Sequence, residues 1–233
     1  MIFVEIKNRA DICFIIDSSS NIIAHDRNNW SRVKAFVKQV ISQFTISSDG
    51  VRIAVVLFAT KAYVELKLNE EHTVERILQR IDTLRHLGGS RNMSGGLYLM
   101  NHVVFQPHNG DRSDVDNIVI LITSGRSTVN RDTLLYAKEA KDNGVKIIGI
   151  AITIFDQTEL FTVVSPPVKQ TLVYVVSVTK LVYIVHKVVI QIASHAGIPG
   201  FTTEMPPVTK RVGESIICVS HQIYHFILSS LVS

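Results

Sequence analysis

Apolar positions along this chain follow two alternating rhythms. Ala10 to Ile16 form a nearly continuous apolar run that ends on Asp17 and leads into Ser18-Ser19-Ser20-Asn21. Val51–Phe58, Asn117–Thr123 and Val145–Thr153 have the same character, and each is bounded by turn residues. Such runs are what strands buried on both faces of a parallel sheet require. Between them, apolar residues recur at helical spacing. Trp30, Val33, Phe36, Val37, Val40, Ile41 and Phe44 make one stripe, and Val74, Ile77, Leu78, Ile81 and Leu84 another. Further helices are expected from Ser94 to Val104, from Asp132 to Asn143, over Gln157–Val164 and from Thr179 to Ser194, with a last strand at Leu172–Val176. In Ala62–Leu68, Tyr63, Glu65 and Lys67 alternate with Val64, Leu66 and Leu68, the pattern of a half-exposed antiparallel edge.

Strands alternating with helices predict an α/β fold: a three-layer, doubly wound, mostly parallel sheet with one antiparallel edge strand and right-handed crossovers. One domain over residues 10–193 accounts for this pattern. After it, Gly197, Pro199, Gly200, Pro206 and Pro207 punctuate a stretch that leads to an isolated apolar segment, Ile216 to Val232. Residues 194–233 receive no domain assignment from the sequence.

Composition narrows the class of function. A hydrophobic content of 46% and a charged content of 19% in 233 residues describe a chain with a sizeable core. The net charge of +4 is spread without a basic block or interleaved aromatics, which argues against a nucleic-acid surface. Lys180, His186 and Lys187 interrupt residues 171–193, and His221, Gln222 and His225 interrupt 216–232, so neither reads as a membrane span of about 20 apolar residues. Met1 to Arg9 lack the basic-then-apolar order of a signal peptide, which fits either a cytosolic protein or a piece of a longer secreted one. The two cysteines, Cys13 and Cys218, cannot form a zinc site alone, and a disulfide between them is conceivable in a secreted chain.

Ligands of parallel sheets bind at the carboxyl ends of the strands. Asp17 and the serines after it would there offer hard oxygen ligands suited to Mg²⁺. Equally, Ser20 or Asn21 could start a helix while Asp17 caps a loop. Asp17-Ser18-Ser19-Ser20-Asn21 resembles the Asp-x-Ser-x-Ser motif of von Willebrand factor A-type domains. Val51–Phe58, Leu87–Leu97 and Ile118–Ser127 follow in that family's order, and the resemblance covers roughly residues 10 to 193. The Ala10–Asp17 and Ile147–Ile152 strands are most similar to those of fibril-associated collagens, collagen VI, matrilins and related matrix proteins. The resemblance implies a protein-binding module, secreted into the extracellular matrix, with collagen or another matrix protein as partner and no catalytic activity.

In that family one ion is held by an Asp and two Ser from a first loop, a Thr from a second and an Asp from a third, with a free position for a partner's carboxylate. Carried over, the first loop maps to Asp17, Ser19 and Asn21, so an Asn replaces one Ser. The family threonine falls at Arg91, with Ser90 one residue earlier, and the third-loop aspartate falls at Ser124. One carboxylate is left, and Arg91 is expected beside it as a charge-assisted partner. The resemblance therefore implies a degenerate metal-ion-dependent adhesion site: no cofactor, Mg²⁺ weak or not bound, and Ser90, Arg91 and Ser124 in the partner-binding loops.

Other features have plainer readings. Arg112-Ser113-Asp114 reads as a solvated turn, and Asn92-Met93-Ser94 fits the glycosylation pattern at a crowded position. His72, His86, His102 and His108 lack ligand spacing and read as surface or loop residues. No nucleophile elbow, Walker or Rossmann glycine pattern is present, which weighs against a nucleotide-binding enzyme. An intracellular scaffold domain of the same family is the alternative function.

Overall fold

In the computed structural model, residues 9–153 and 158–199 are described. Six strands form one sheet: β1 (Ala10–Asp17), β2 (Val51–Phe58), β3 (Ala62–Leu66), β4 (Asn117–Thr123), β5 (Lys146–Ile152) and β6 (Leu172–Val175). Their order is β3-β2-β1-β4-β5-β6. Every pairing is parallel except β2 with β3, the antiparallel edge anticipated from the alternation at Ala62–Leu68. A register shift at Val55/Val56 marks that edge.

Period-two alternation sorts the strand side chains into two cores. Ile12, Phe14 and Ile16 of β1, with Ile53, Val55, Ile118, Ile120 and Ile148, face one side. There they meet α1 (Asn29–Ile41), α2 (Val74–Thr83) and α7 (Val185–His195). Cys13 and Ile15, with Ala54, Val56, Val119, Leu121 and Ile147, face the other. That side is covered by α3 (Met93–Leu99), α4 (Asn130–Asp142) and α5 (Thr158–Val163), while α6 (Val168–Thr171) leads into β6. Burying each such aliphatic side chain contributes about 1.5–3 kcal/mol, so the two faces dominate stability. Gly149 of β5 lets α5 and β6 approach: a Cβ there would lie 2.7 Å from Val164 Cγ1 and 3.0 Å from Leu172 Cδ1.

Three expectations need correction. The helix expected over Ser94–Val104 is α3 followed by a wider, π-type turn at Met100–Val104, which keeps Met100 and Val104 both buried. The single helix expected over Thr179–Ser194 is a 3₁₀ segment, Val178–Ile184, and then α7. Val178 and Leu181 are buried and Ile184 half-buried, at a spacing of three, whereas Val182 and Tyr183 are exposed; three residues per turn fits that stripe better than 3.6.

The third correction is Arg112, which is no solvated turn residue. Its side chain is 9% exposed and faces Asp11, which is fully buried near the start of β1. Arg112 Nη2 and Nε donate to Asp11 Oδ1 at 2.6 and 3.0 Å, and the Arg112 backbone N–H donates to Oδ2 at 3.0 Å. Nη2 also reaches the carbonyls of Gly50 and Ala10, so one guanidinium ties the β4 approach to β1 and β2. Burial pushes the Asp11 carboxyl up, and the hydrogen bonds from Arg112 pull it back. Cys13 is a free, buried thiol, whose pKa burial raises. Cys218 and the apolar segment after Ile216 lie outside the described residues. Among the described residues no helix is long and apolar enough to cross a membrane.

Arg112→Ala is expected to destabilise the domain by about 3–5 kcal/mol, because it strands a buried carboxylate. Replacing both partners, Asp11→Leu with Arg112→Met, is expected to recover part of that loss. Urea unfolding of the two variants and the parent checks both outcomes.

Candidate functional site

β1 is a central strand, so Asp17 emerges at the carboxyl edge of the sheet beside the ends of β2 and β4. It is fully buried. A buried carboxylate needs hydrogen bonds for both oxygens. Oδ1 accepts the Ser19 N–H at 2.9 Å; Oδ2 accepts the Ser124 N–H at 2.8 Å and the Ser124 hydroxyl at 2.7 Å. Asp17 and Ser124, predicted from separate loops, are therefore in direct contact.

The first loop is fixed to the second by backbone. Gly88 N–H donates to Ser18 O at 2.9 Å, Leu87 N–H to Ser18 Oγ at 2.9 Å, Ser20 N–H to Gly89 O at 3.1 Å and Gly89 N–H to Ser20 Oγ at 2.8 Å. Gly89 takes φ +86°, and a Cβ there would meet Thr60 Oγ1 at 2.2 Å, so the position requires glycine. His86 holds the same loop: its Nε2 lies 3.0 Å from Ser19 O, and its ring packs edge-on to Trp30 with centroids 5.6 Å apart. Sequence reasoning missed this role, since no spacing signal connects residues 67 positions apart.

The remaining residues divide. Ser19 is buried, and its Oγ has no hydrogen-bond partner. Asn21 is exposed on the 3₁₀ turn Ser20–Ile23. With Ser124, Asn29, Thr153, Ser177 and Thr179 it lines a cleft of about 210 Å³ floored by Ile22, Ile152 and Val178. Ser90 turns away to Thr60, whose Oγ1 lies 3.1 Å from Ser90 N and 3.4 Å from Ser90 Oγ. Arg91 does not pair with Asp17. Its Nε donates to Arg126 O at 3.1 Å, and its guanidinium lies against Gly125, where a Cβ would be 3.2 Å from Cζ. The carbonyl of Arg91 accepts Thr128 N–H, Thr128 Oγ1–H and Ser127 Oγ–H, at 2.8, 3.1 and 3.3 Å. Asn92 caps α3: its Oδ1 accepts Gly95 N–H at 3.0 Å and the Ser94 hydroxyl at 2.6 Å, which occupies the glycosylation-pattern side chain structurally.

Glu159, only 3% exposed, is a further anchor that the sequence did not reveal. It accepts Ser127 N–H at 2.7 Å and Asn130 Nδ2–H at 2.8 Å, joining α5 to the third loop. Chemically, the motif positions offer one carboxylate already holding three neutral donors, one unpartnered serine oxygen and one guanidinium. Among the described residues no group of three or more His, Cys, Asp or Glu is placed to hold a metal ion.

A doubly wound sheet with an Asp-x-Ser loop at its carboxyl edge defines the class, and comparison with known proteins identifies the family. The von Willebrand factor type A domain matches residues 11–187, and the chain belongs to that family. It is 34% identical over 161 residues to the human collagen alpha-1(XX) chain, covering 68% of this chain and 12% of that one. It is 30% identical over 161 residues to the collagen alpha-1(XII) chain of Notophthalmus viridescens, covering 69% and 17%. Among solved structures, proximal thread matrix protein 1 from the mussel byssus, with a zinc-occupied MIDAS motif, superposes with a TM-score of 0.74 at 28% identity, over 80% of this chain and 46% of that one. The domain is thus homologous to those of extracellular matrix collagens, of which it spans 12% and 17% of the length.

Ser124→Ala removes one of the three donors to a buried carboxylate. It is expected to lower stability by about 1–3 kcal/mol, read as a lower midpoint in urea unfolding with an unchanged slope.

Proposed function

We infer that this domain is a non-catalytic interaction module of a secreted matrix protein. It binds collagen or another matrix protein through the loops at the carboxyl edge of the sheet, and it does so without a divalent ion. The observation that carries the reading is the contact between Asp17 and Ser124. In the family pattern a second carboxylate stands at Ser124, and a cation holds the two acidic loops together. Here the Ser124 hydroxyl and N–H bond directly to Asp17 Oδ2, so the loops close on neutral donors.

A divalent cation shedding water needs compensating anionic oxygen. Asp17 is the single carboxylate at the motif positions, Asn21 is turned out to the cleft, and Arg91 supplies a positive charge at the second loop. Ser19 Oγ, buried and unpartnered, is the one remaining oxygen of the set, too little to hold Mg²⁺ or Mn²⁺ tightly. The zinc-occupied motif of the mussel protein sets the opposite expectation, which makes the metal question decisive. The matrix setting draws on the collagen relatives, and the partner-facing loops are those carrying Ser90, Arg91 and Ser124.

Binding of the chain to immobilised fibrillar collagen is expected to survive a chelator, and Mn²⁺ calorimetry to give no tight one-site isotherm. A tight isotherm that Asp17→Ala abolishes would overturn the metal-free reading. Restoring the family residues, Arg91→Thr with Ser124→Asp, is expected to create Mn²⁺ affinity that the parent lacks; the same calorimetry measures it.

A further inference from the structure

The charges on the loop face do not cancel locally. Asp17 is buried and takes all of its hydrogen bonds from neutral groups. Glu159 is buried and spends its oxygens on Ser127 and Asn130. Asp26 pairs with Arg32 at 2.5 Å. Arg91, half-buried, makes no ion pair among the described residues, and its only side-chain hydrogen bond is from Nε to Arg126 O. Among the described residues its two terminal nitrogens have no partner, and neither is among the buried polar atoms sealed from solvent.

A guanidinium in this state is oriented without being satisfied. Nε is tied to one carbonyl, the plane is laid against Gly125, and the Arg91 carbonyl is held by Ser127 and Thr128. Both terminal nitrogens keep solvent access, Nη2 beside Gly125, and together they form a fork that matches the two oxygens of a carboxylate. Gly89, Ser90 and Gly125 are small and leave room for a carboxylate, and Arg126, whose backbone carbonyl takes Nε, adds a second cationic residue beside it.

We propose that Arg91 is the cation that receives an Asp or Glu side chain of the protein partner. The guanidinium does directly, by two parallel N–H···O bonds, what a bound ion would do in a metal-loaded domain. The inference rests on reading these loops as the partner-binding face. It adds the partner's chemistry, an acidic side chain, and it makes binding sensitive to salt and indifferent to chelation.

The test uses the whole chain, its Arg91→Ala and Arg91→Lys variants, and two probes. The first probe is type I collagen fibres, native or with their carboxyl groups amidated. Binding is expected to fall roughly tenfold on amidation and again roughly tenfold in Arg91→Ala on native fibres, with Arg91→Lys intermediate because it keeps the charge and loses the fork. Parent binding that is unmoved by amidation, or by Arg91→Ala, would overturn the inference while leaving collagen binding intact. The second probe is N-acetyl-glutamate amide against N-acetyl-glutamine amide, followed by the NMR signal of the Arg91 Nε–H. A saturable shift with the glutamate compound only supports the inference even where collagen proves to be the wrong partner. Equal shifts, none, or a stronger response to inorganic sulfate would refute it.

Discussion

A charged group with no exposed surface, placed where a central strand ends, constrains everything near it. Asp17 is such a group, and its carboxylate stays buried because Ser19 and Ser124 bring three donors to it from two loops. Those bonds fix how the chain leaves β1 and how it leaves β4, the neighbour with which β1 pairs from Asp11 to Ile16. An aspartate at position 124 would place two like charges in contact, and one would have to be protonated or bridged by a cation. Serine removes the repulsion and adds a donor. The first and third loops of this domain are joined here by hydrogen bonds from neutral donors.

The other end of β1 solves the same problem differently. Asp11 is equally buried, but its partner is Arg112, an ionised group drawn in from the chain before β4. Desolvating both charges is costly, and good geometry with several hydrogen bonds is what makes such a pair tolerable. The two carboxylates of β1 therefore pin opposite ends of the sheet, one by charge pairing and one by neutral donors. The charge-paired end is a structural lock. At the neutral-donor end Arg91 makes no ion pair with Asp17, and its guanidinium lies against Gly125.

The strands were legible because burial on both faces leaves continuous apolar runs such as Ile12–Ile16, Val51–Phe58 and Ile118–Ile122, bounded by polar residues. The edge strand showed itself by alternation. What stayed hidden was any contact whose partners are far apart in the chain: Arg112 with Asp11, His86 with Ser19, Glu159 with Ser127. A local pattern carries no trace of a pairing 101 residues long. The Val178–Ile184 segment was misread because stripes of period 3.0 and 3.6 scarcely differ over two turns. Asp17 and Ser124 were brought together correctly because the family order places both at the carboxyl edge of the sheet. Arg91 was expected on Asp17 because opposite charges on neighbouring loops suggest a pair. The expectation failed because Ser19 and Ser124 had already satisfied the carboxylate, and the Arg126 carbonyl with the bare backbone of Gly125 offered the guanidinium another seat.

On the proposed reading, that seat bears on recognition. A flexible arginine loses rotamer freedom when it binds, which weakens the complex it forms. Here the backbone of Arg91 is held through its carbonyl by the third loop, and the side chain is held through Nε. That ordering is present in the domain by itself. Gly125 belongs to the same arrangement, since a Cβ at that position would lie 3.2 Å from Cζ and the guanidinium would have to give by a few tenths of an ångström. On the proposed reading, a face built this way differs from a metal-dependent one in what controls it. A bound ion can be removed by a chelator or exchanged, whereas a covalently attached cation answers only to ionic strength and to the acidic residues of whatever it meets. On the proposed reading Ser124 and Arg91 act together: the first closes the loops on neutral donors, and the second places a cation at the surface as part of the chain.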